Sequence, residues 1–210
     1  MPHDARQRRL DEAAEMSCRK TIDFARRALD VSENDPGILA NVAVALAMFG
    51  EDIDAMIGLV DQAFAFNPSF ARGWCLSGLL RVWAGQPDLA IEHVETSLRL
   101  SPRLVGQPLS LMGLAHFVKR RFDEAAASLV MAIQDHPGFP SSYRTLAACY
   151  AHLGRLDKAR TTVTWLRPIT PHMMPSLLPF RDPEDCELLL SGCAWRRAKW
   201  NEPDPPPRRD

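Results

Sequence analysis

Apolar residues along this chain recur at intervals of three and four positions, and long runs of strict apolar and polar alternation are missing. Spacing of three and four places apolar side chains on one face of an α-helix, whereas alternation is the pattern of a half-buried strand. The pattern therefore predicts an all-α protein that begins with an amphipathic helix. The stripe of that first helix comprises Leu10, Ala14, Cys18, Ile22, Ala25 and Leu29.

Prolines divide the helical pattern into units of nearly constant length. Proline is excluded from a helix interior but fits the first turn, so each one ends a helix and precedes the next. The midpoint of each unit holds a turn position, which is Gly50, Gly85, Arg120 with Arg121, or Gly154. Each unit is therefore predicted to be two helices joined by a tight turn. Successive intervals of 32, 34, 35 and 34 residues separate Pro36, Pro68, Pro102, Pro137 and Pro171.

Small residues recur at equivalent places in the two helices of each unit. Two helix axes approach to about 8 to 10 Å only where the side chains at the crossing are short. A pair with two apolar sides cannot bury both by itself, so the pairs are expected to stack into a continuous array. The small residues are Gly78, Gly113 and Ala147 in the first helices and Ala90, Ala125 and Ala159 in the second.

The repeat as a whole resembles the tetratricopeptide repeat (TPR). In the second unit, Trp74 lies early in the first helix, Gly78 follows four positions later, Ala90 lies in the second helix and Pro102 closes the unit. A period of 34 residues with this pattern is typical of TPR helix pairs. The resemblance covers the stretch from Gly37 to Pro171 and implies a right-handed superhelix of antiparallel helix pairs, a TPR-like α-solenoid.

A narrower resemblance concerns the TPR regions that follow class III adenylate cyclase domains or winged-helix DNA-binding domains in proteobacterial signalling proteins. In those proteins the phrase at residues 177–185 introduces the closing helix of the array. Neither a cyclase domain nor a winged-helix segment is expected in this chain, so no catalytic function is implied. The matching phrases are Asn-Pro-Ser-Phe-Ala at 67–71, the stretches 85–93 and 98–102, and Leu-Leu-Pro-Phe-Arg-Asp-Pro-Glu-Asp at 177–185.

Four parts of the chain are predicted. Residues 1–36 hold the amphipathic helix, an incomplete repeat or cap, and residues 37–171 hold four TPR-like helix pairs. Residues 172–200 form a linker and a C-terminal capping helix, for which Asp182 is the N-cap. Residues 201–210 form a proline-rich tail expected to be disordered. The first helix lacks a partner helix, so it either lies flat on the first pair or offers an edge for a homodimer or hetero-complex.

Composition and charge exclude several classes of partner. With 25 basic and 26 acidic residues the net charge is -1, which gives no reason to expect nucleic acid. The longest apolar run, Val42 to Phe49, is far shorter than the ~20 residues that cross a membrane. The first thirty residues lack the apolar block of a secretory signal, and the five cysteines include no Cys-x-x-Cys pair. These features predict a reducing, cytoplasmic location.

Recognised catalytic and metal-binding motifs are missing from the sequence. No His-x-x-x-His pair, Cys-x-x-Cys pair or glycine-rich phosphate loop occurs, so no metal, cofactor or catalytic residue is expected. The only candidate dyad is Cys149 with His152, three positions apart on one predicted helix and without a visible third residue to orient it. A hydrolase or redox protein built on this dyad is the least favoured interpretation.

The candidate binding surface is the concave wall, which the first helices line in TPR proteins. Arg72 and Arg144 are expected to select polar or acidic groups, while Trp83 and Phe117 are either apolar anchors for a ligand or core residues. The wall lacks the lysines with which some TPR domains hold acidic chaperone tails, so that partner is not expected. The candidate residues are Asn41, Arg72, Cys75, Leu79, Trp83, Gln107, Ser110, Phe117, Arg144 and His152.

The favoured function is therefore a non-enzymatic protein-protein interaction module that binds a peptide or helix in the concave groove of the array. The alternative is a regulatory or dimerisation segment of a cyclase-linked or transcriptional signalling system. The two interpretations share a fold and differ in the partner that the chain serves.

Overall fold

The computed structural model describes residues 2–32, 34–103, 105–170 and 179–194, with side chains from residue 16 to residue 192. Ten α-helices and no strand occur in these ranges, which confirms the predicted all-α fold. The helices are α1 Pro2–Asp30, α2 Pro36–Met48, α3 Ile53–Phe66, α4 Ala71–Trp83, α5 Pro87–Leu100, α6 Gly106–Val118, α7 Phe122–Asp135, α8 Pro140–His152, α9 Leu156–Leu166 and α10 Pro183–Ala194.

The helix boundaries follow from capping residues and prolines. The Asp35 carboxylate accepts a hydrogen bond from the Ile38 amide, and the Asp52 carboxylate accepts one from the Ala55 amide, both at 2.9 Å. Each bond satisfies an amide that has no partner inside its own helix. Asp182 does the same at the start of α10, where it accepts from the Glu184 amide at 2.8 Å. The predicted N-cap role of Asp182 is therefore present in the structure.

The turn inside each helix pair has a left-handed residue at the same place. Gly50, Gly85 and Gly154 have φ values of 90°, 76° and 70°, and Arg120 has a φ of 58° at the equivalent position of the third pair. A residue with a Cβ atom is strained in this conformation, whereas glycine is not. Arg120 therefore takes up the strained turn position that glycine fills in the other pairs.

The helices form four antiparallel pairs, α2 with α3, α4 with α5, α6 with α7 and α8 with α9. Each second helix packs on the following first helix, and successive first helices also pack on each other, from α2 through α4 and α6 to α8. Packing of similar extent between successive second helices is not seen in the described part of the chain. The array therefore curves so that the first helices line its inner, concave side.

Glycines permit the close crossing inside two of the pairs. A Cβ atom on Gly113 would lie 2.5 Å from Leu129 Cγ and 3.2 Å from the carbonyl oxygen of Ala125. A Cβ atom on Gly78 would lie 2.8 Å from Val94 Cγ2. Nothing larger than hydrogen fits at these points, as the recurrence of small residues predicts.

Aromatic side chains hold the turns between successive pairs. Trp74 donates from Nε1 to the carbonyl of Pro68 at 2.8 Å, and Tyr143 donates from its hydroxyl to the carbonyl of Pro137 at 2.9 Å. Each aromatic ring lies early in a first helix and bonds back to the repeat-ending proline six residues before it. The aromatic and the proline of the repeat pattern therefore act together as a closure of the inter-pair turn.

The first helix covers one end of the array. Ala25 is buried, and Ile22 and Leu29 pack against the core of the first two pairs. Arg26 also forms an ion pair with Glu51, next to the α2–α3 turn. Over this stretch α1 therefore lies on the first pair as a cap. Met16 and Phe24 of α1 stay exposed, as does Val31 just after it.

The last helix does not continue the stack. A next first helix would pack on α9, but α10 packs along α8 instead. Leu188 and Leu189 are buried there, in the cluster that contains residues of the fourth pair. The predictions for Pro171, for the part of the capping helix after residue 194 and for the tail at 201–210 fall outside the described residues. In the ranges that are described, no helix is both long and apolar enough to cross a membrane.

Candidate partner-binding surface

The predicted wall residues divide into three groups by exposure. Asn41 and Arg72 are exposed, and four others are half-buried. The remaining four are at most 6% exposed, so a ligand does not reach their side chains in this structure. The half-buried group is Leu79, Gln107, Arg144 and His152, and the buried group is Cys75, Trp83, Ser110 and Phe117.

Arg72, Cys75 and Gln107 come together at the amino-terminal ends of α4 and α6. They line a cavity of about 410 Å³ that the turn after α7 completes from the other side. We call this region the open half of the concave wall. Its lining consists of Ala71, Arg72, Cys75, Ser97, Ser101, Gly106, Gln107, Pro108, Asp135, His136 and Phe139.

Hydrogen bonds fix the polar groups of the open half. Arg72 donates from Nη2 to Asn41 Oδ1 at 3.1 Å, and Asn41 donates from Nδ2 to the carbonyl of Gly37 at 2.6 Å. Across the cavity, the Asp135 carboxylate accepts from the Gly106 amide at 2.8 Å. The guanidinium is therefore held at the cavity, while the carboxylate is used to cap α6.

Cys75 contributes an apolar floor to the cavity and no reactive group. Burial raises the pKa of its thiol to about 12, although the neighbouring Arg72 acts in the opposite direction. A thiol with this pKa is almost entirely protonated at neutral pH and is a poor nucleophile. Cys75 packs with Val94 and Leu111 in the core below the open half.

Ser110 is buried between two first helices. Its hydroxyl lies 2.8 Å from the Ser142 hydroxyl of α8, and both residues are buried. A paired polar group in the core stabilises the contact between neighbouring helices. The expectation that the Ser110 side chain faces a ligand is therefore wrong, because the position points into the seam between α6 and α8.

Trp83 and Phe117 lie in the core, which is the second of the two roles expected for them. Trp83 is 6% exposed among residues of the first two pairs, and Phe117 is fully buried beside Phe122 and Leu129. Leu188 and Leu189 of α10 belong to the same cluster as Phe117. The chain's own C-terminal region therefore contributes to covering this part of the wall.

The Cys149 and His152 pair lies beneath the last helix. Cys149 is fully buried beneath α10, in the cluster that contains Leu188. His152 donates from Nε2 to the Leu188 carbonyl at 2.9 Å, and its ring stacks on Phe122 at 4.8 Å between centroids. His152 therefore holds α10 in place, and its Nε2 hydrogen bond is already made.

Residues 179–194 cover the carboxyl-terminal ends of the first helices. We call these residues the C-terminal segment and the surface beneath them the closed half of the wall. The Arg181 amide donates to the Trp83 carbonyl at 2.7 Å, and Gly192 lies directly on Ala148 of α8. The closed half is defined by Asp54, Trp83, Phe117, Arg120, Ala148 and His152.

Some site residues were not identified from the sequence. Asp135, His136 and Phe139 reach the open half from the turn between the third and fourth pairs. A repeated feature marks this turn, since Phe70 and Phe139 each follow a repeat-ending proline by two positions and precede a first helix. Arg144 is half-buried on α8 and is not part of the cavity lining.

Known proteins support the fold. Residues 119–172 match the model of the tetratricopeptide repeat. TTC0263, a thermophilic TPR protein of Thermus thermophilus, has a similar structure, with a TM-score of 0.66, 20% identity and coverage of 87% of this chain and 94% of that one. MamA 41-end from Desulfovibrio magneticus RS-1 has a TM-score of 0.56 at 18% identity and covers 80% of this chain and 92% of that one.

These likenesses establish the class of fold. The chain is a helical-repeat protein with an all-α, TPR-like solenoid fold, as its proline period predicts. No curated protein sequence matches it. At identities near 20% the function has to come from the surface described above.

Proposed function

We propose that this protein is a non-enzymatic interaction module whose open half binds an extended segment of a partner protein. The observation that carries the proposal is the cavity of about 410 Å³ in which Arg72 lies beside the apolar surface of Cys75, Pro108 and Phe139. An apolar floor with a few fixed polar groups is the usual composition of a recognition site in a protein groove.

Arg72 gives the open half its preference for a ligand. Its guanidinium has five N–H donors, and the bond to Asn41 holds it at the rim of the cavity. Such a group pairs with a carboxylate or with backbone carbonyls of an extended chain. We therefore expect a partner segment with an acidic or polar residue at Arg72 and a small apolar residue over Cys75.

The chemistry of the titratable groups supports a binding role. The Cys75 thiol is protonated because of its raised pKa, and His152 is engaged by α10. Within the described residues, no group of three His, Cys, Asp or Glu side chains is placed to hold a metal ion. TPR folds act mainly as scaffolds, and nothing in the open half favours a reaction over recognition.

A peptide-display selection on the purified full chain tests this proposal. Selected peptides should bind the wild type, and Arg72→Glu should weaken them at least tenfold because it reverses the charge at the rim. Arg167→Glu is the matched control, since Arg167 is exposed at the end of α9 and away from the cavity. Failure to select any peptide, or equal binding by both variants, would place the function elsewhere.

The alternative function is a regulatory or dimerisation segment of a cyclase-linked or transcriptional system. The sequence at residues 177–185 supports this alternative. Its described part, residues 179–185, lies on the closed half of the wall. Neighbouring genes for a class III cyclase or a winged-helix regulator would favour this alternative, and their absence across related genomes would count against it.

Self-association through the N-terminal edge also stays a prediction, together with a cytoplasmic location. Ile22 and Leu29 are engaged by the first pair, so a dimer would use the exposed apolar side chains, of which Phe24, 68% exposed, is the largest. Light scattering coupled to size exclusion decides the question. If the protein is a dimer, the dimer should dissociate in Phe24→Asp but persist in the control Arg27→Asp. If the wild type is a monomer, α1 acts only as a cap.

A further inference from the structure

The C-terminal segment follows the closed half through all four helix pairs. The Arg181 guanidinium pairs with the Asp54 carboxylate of the first pair at 2.7 Å, and the Arg181 amide donates to the Trp83 carbonyl of the second pair. The Glu184 carboxylate lies 3.9 Å from the Arg120 guanidinium in the third pair. The Leu188 carbonyl accepts from His152 in the fourth.

Phe180 is the central apolar contact of the segment. Its half-buried ring packs against three clusters of the array, around Trp83, around Leu114 and around Phe117. Further along the segment, Leu188 and Leu189 bury their side chains against α8 and its surroundings. The closed half therefore takes one aromatic side chain followed by the apolar side of a helix.

The charges of the closed half have a fixed order. Asp54 pairs with Arg181, the basic residue that follows the aromatic Phe180. Arg120 faces Glu184 and Asp185 at the acidic start of α10. A segment in the reverse direction would bring like charges together. The surface therefore selects an aromatic residue, an arginine and then an acidic helix start, in that order.

The contacts that hold the segment are of a kind that another molecule can replace. The ion pairs of Arg181 with Asp54 and of Arg120 with Glu184 are largely exposed, and exposed pairs stabilise a docked segment weakly. Helix α10 has 12 residues, too few for a stable helix in water without packing. Among the described array helices, α8 is the one with which α10 makes extensive contacts. The helical form of α10 therefore depends on docking.

We propose that the closed half is a second polypeptide-binding site and that residues 179–194 occupy it as an intramolecular ligand. The partner is a protein segment with an aromatic–arginine pair followed by an acidic amphipathic helix. When such a segment binds, it replaces Phe180 and Arg181 at Asp54 and Trp83, and α10 leaves α8. This site is separate from the open half, which the C-terminal segment does not line.

A competition experiment with a fluorescent peptide of residues 179–194 tests the proposal on the full chain. The double variant Phe180→Asp with Arg181→Glu should release its own segment and leave the groove intact. Fluorescence anisotropy should then show the peptide binding this variant at least tenfold more tightly than the wild type, whose groove is filled. Equal affinity for the two chains, or no binding to a double variant whose array still unfolds cooperatively on heating, would overturn the proposal.

Charge reversal identifies the groove. Adding Asp54→Arg to the double variant should abolish binding of the native peptide, and a peptide with Arg181→Asp should recover it. Arg167→Glu added to the double variant is the control and should leave both affinities unchanged. If the charge-reversed pair does not recover, Asp54 is not the receptor for Arg181 and the proposed site is wrong.

A second measurement applies if the double variant does not fold. The single variant Arg181→Glu is then examined by hydrogen exchange. Amides of α10 should lose at least tenfold of their protection while amides of α4 to α7 keep theirs. Loss of protection throughout would show that the segment belongs to the core. None of these results depends on Arg72, so the proposed function of the open half stands or fails separately.

Discussion

The two halves of the concave wall are built by the same first helices, yet they differ in what covers them. At the amino-terminal ends, Arg72 and Gln107 face a cavity. At the carboxyl-terminal ends, Trp83 and His152 are covered by residues more than thirty positions away in the chain. The repeat pattern is the same in both halves, so the difference comes from the C-terminal segment.

This difference teaches how a repeat array acquires a specific surface. Stacked pairs produce a long wall with similar positions in every repeat. In this protein Phe180 and α10 remove one edge of that wall from solvent, and the inter-pair turn at Phe139 narrows the other edge into a cavity. The surface left for a partner is therefore much smaller than the wall that the repeats predict.

The largest expected effect comes from breaking the framework below the closed half. Gly113→Leu places a side chain where a Cβ alone would meet Leu129 at 2.5 Å. We expect the free energy of unfolding to fall by about 3 kcal/mol, because the core is overpacked at a helix crossing. Thermal unfolding followed by circular dichroism measures this. Gly138→Leu is the control, since nothing lies within 4 Å of its Cβ position, and an equal loss there would refute the crossing.

The next-largest effect concerns the docking of α10 on the array. Leu188→Ala should weaken the docking of α10 by about 2 kcal/mol, because a buried leucine is truncated at the surface of α8. Hydrogen exchange should show faster exchange in α10 with little change in α4 to α7. Glu187→Ala changes the exposed neighbour and should leave exchange as in the wild type. A global loss of protection in Leu188→Ala would make α10 part of the array's core.

A third test concerns acid sensitivity in the second helix pair. Burial lowers the pKa of His93 from 6.5 to about 4, with Arg81 acting in the same direction, while Nδ1 lies 3.0 Å from the Ser77 hydroxyl. The folded state favours neutral His93, so its contribution to stability is complete above pH 6.5 and is lost as the pH falls towards 4.

His93→Gln removes this titration and keeps a group that can bond Ser77. Denaturant unfolding measured between pH 6.5 and pH 4 should therefore show a smaller loss of stability than the wild type shows. His136→Gln, at an exposed position of the cavity rim, should follow the wild type. Parallel curves for His93→Gln and the wild type would mean that the histidine is not held neutral by its surroundings.

The smallest effect is a gain. Arg120→Gly should raise the free energy of unfolding by about 1 kcal/mol, because it relieves a left-handed residue with a φ of 58°. It also removes the exposed pair with Glu184, so α10 should exchange slightly faster while the array becomes more stable. Arg121→Gly should give no gain, because φ is -88° at that position. A gain from both would point to the loss of an arginine charge and not to relief of the left-handed turn.

The sequence by itself determined the repeat. The proline period, the turn positions and the small residues at Gly78 and Gly113 are local or periodic features, and a helix pair needs little more than these to form. Asp182 was identified as an N-cap for the same reason, since a cap is made by residues three or fewer positions apart. The first helices could be assigned to the inner side from the TPR resemblance.

Only the tertiary structure decided which wall residues remain accessible. The Ser110 hydroxyl pairs with that of Ser142, which is 32 positions later in the sequence. The Trp83 carbonyl accepts a hydrogen bond from the amide of Arg181, which lies in the distant C-terminal segment. A helical period gives the direction of a side chain on its own helix, but it carries no record of what a distant segment places against that helix. Phe180 covers the closed half because its ring packs on apolar surface there, and that surface exists only where the helix pairs are stacked.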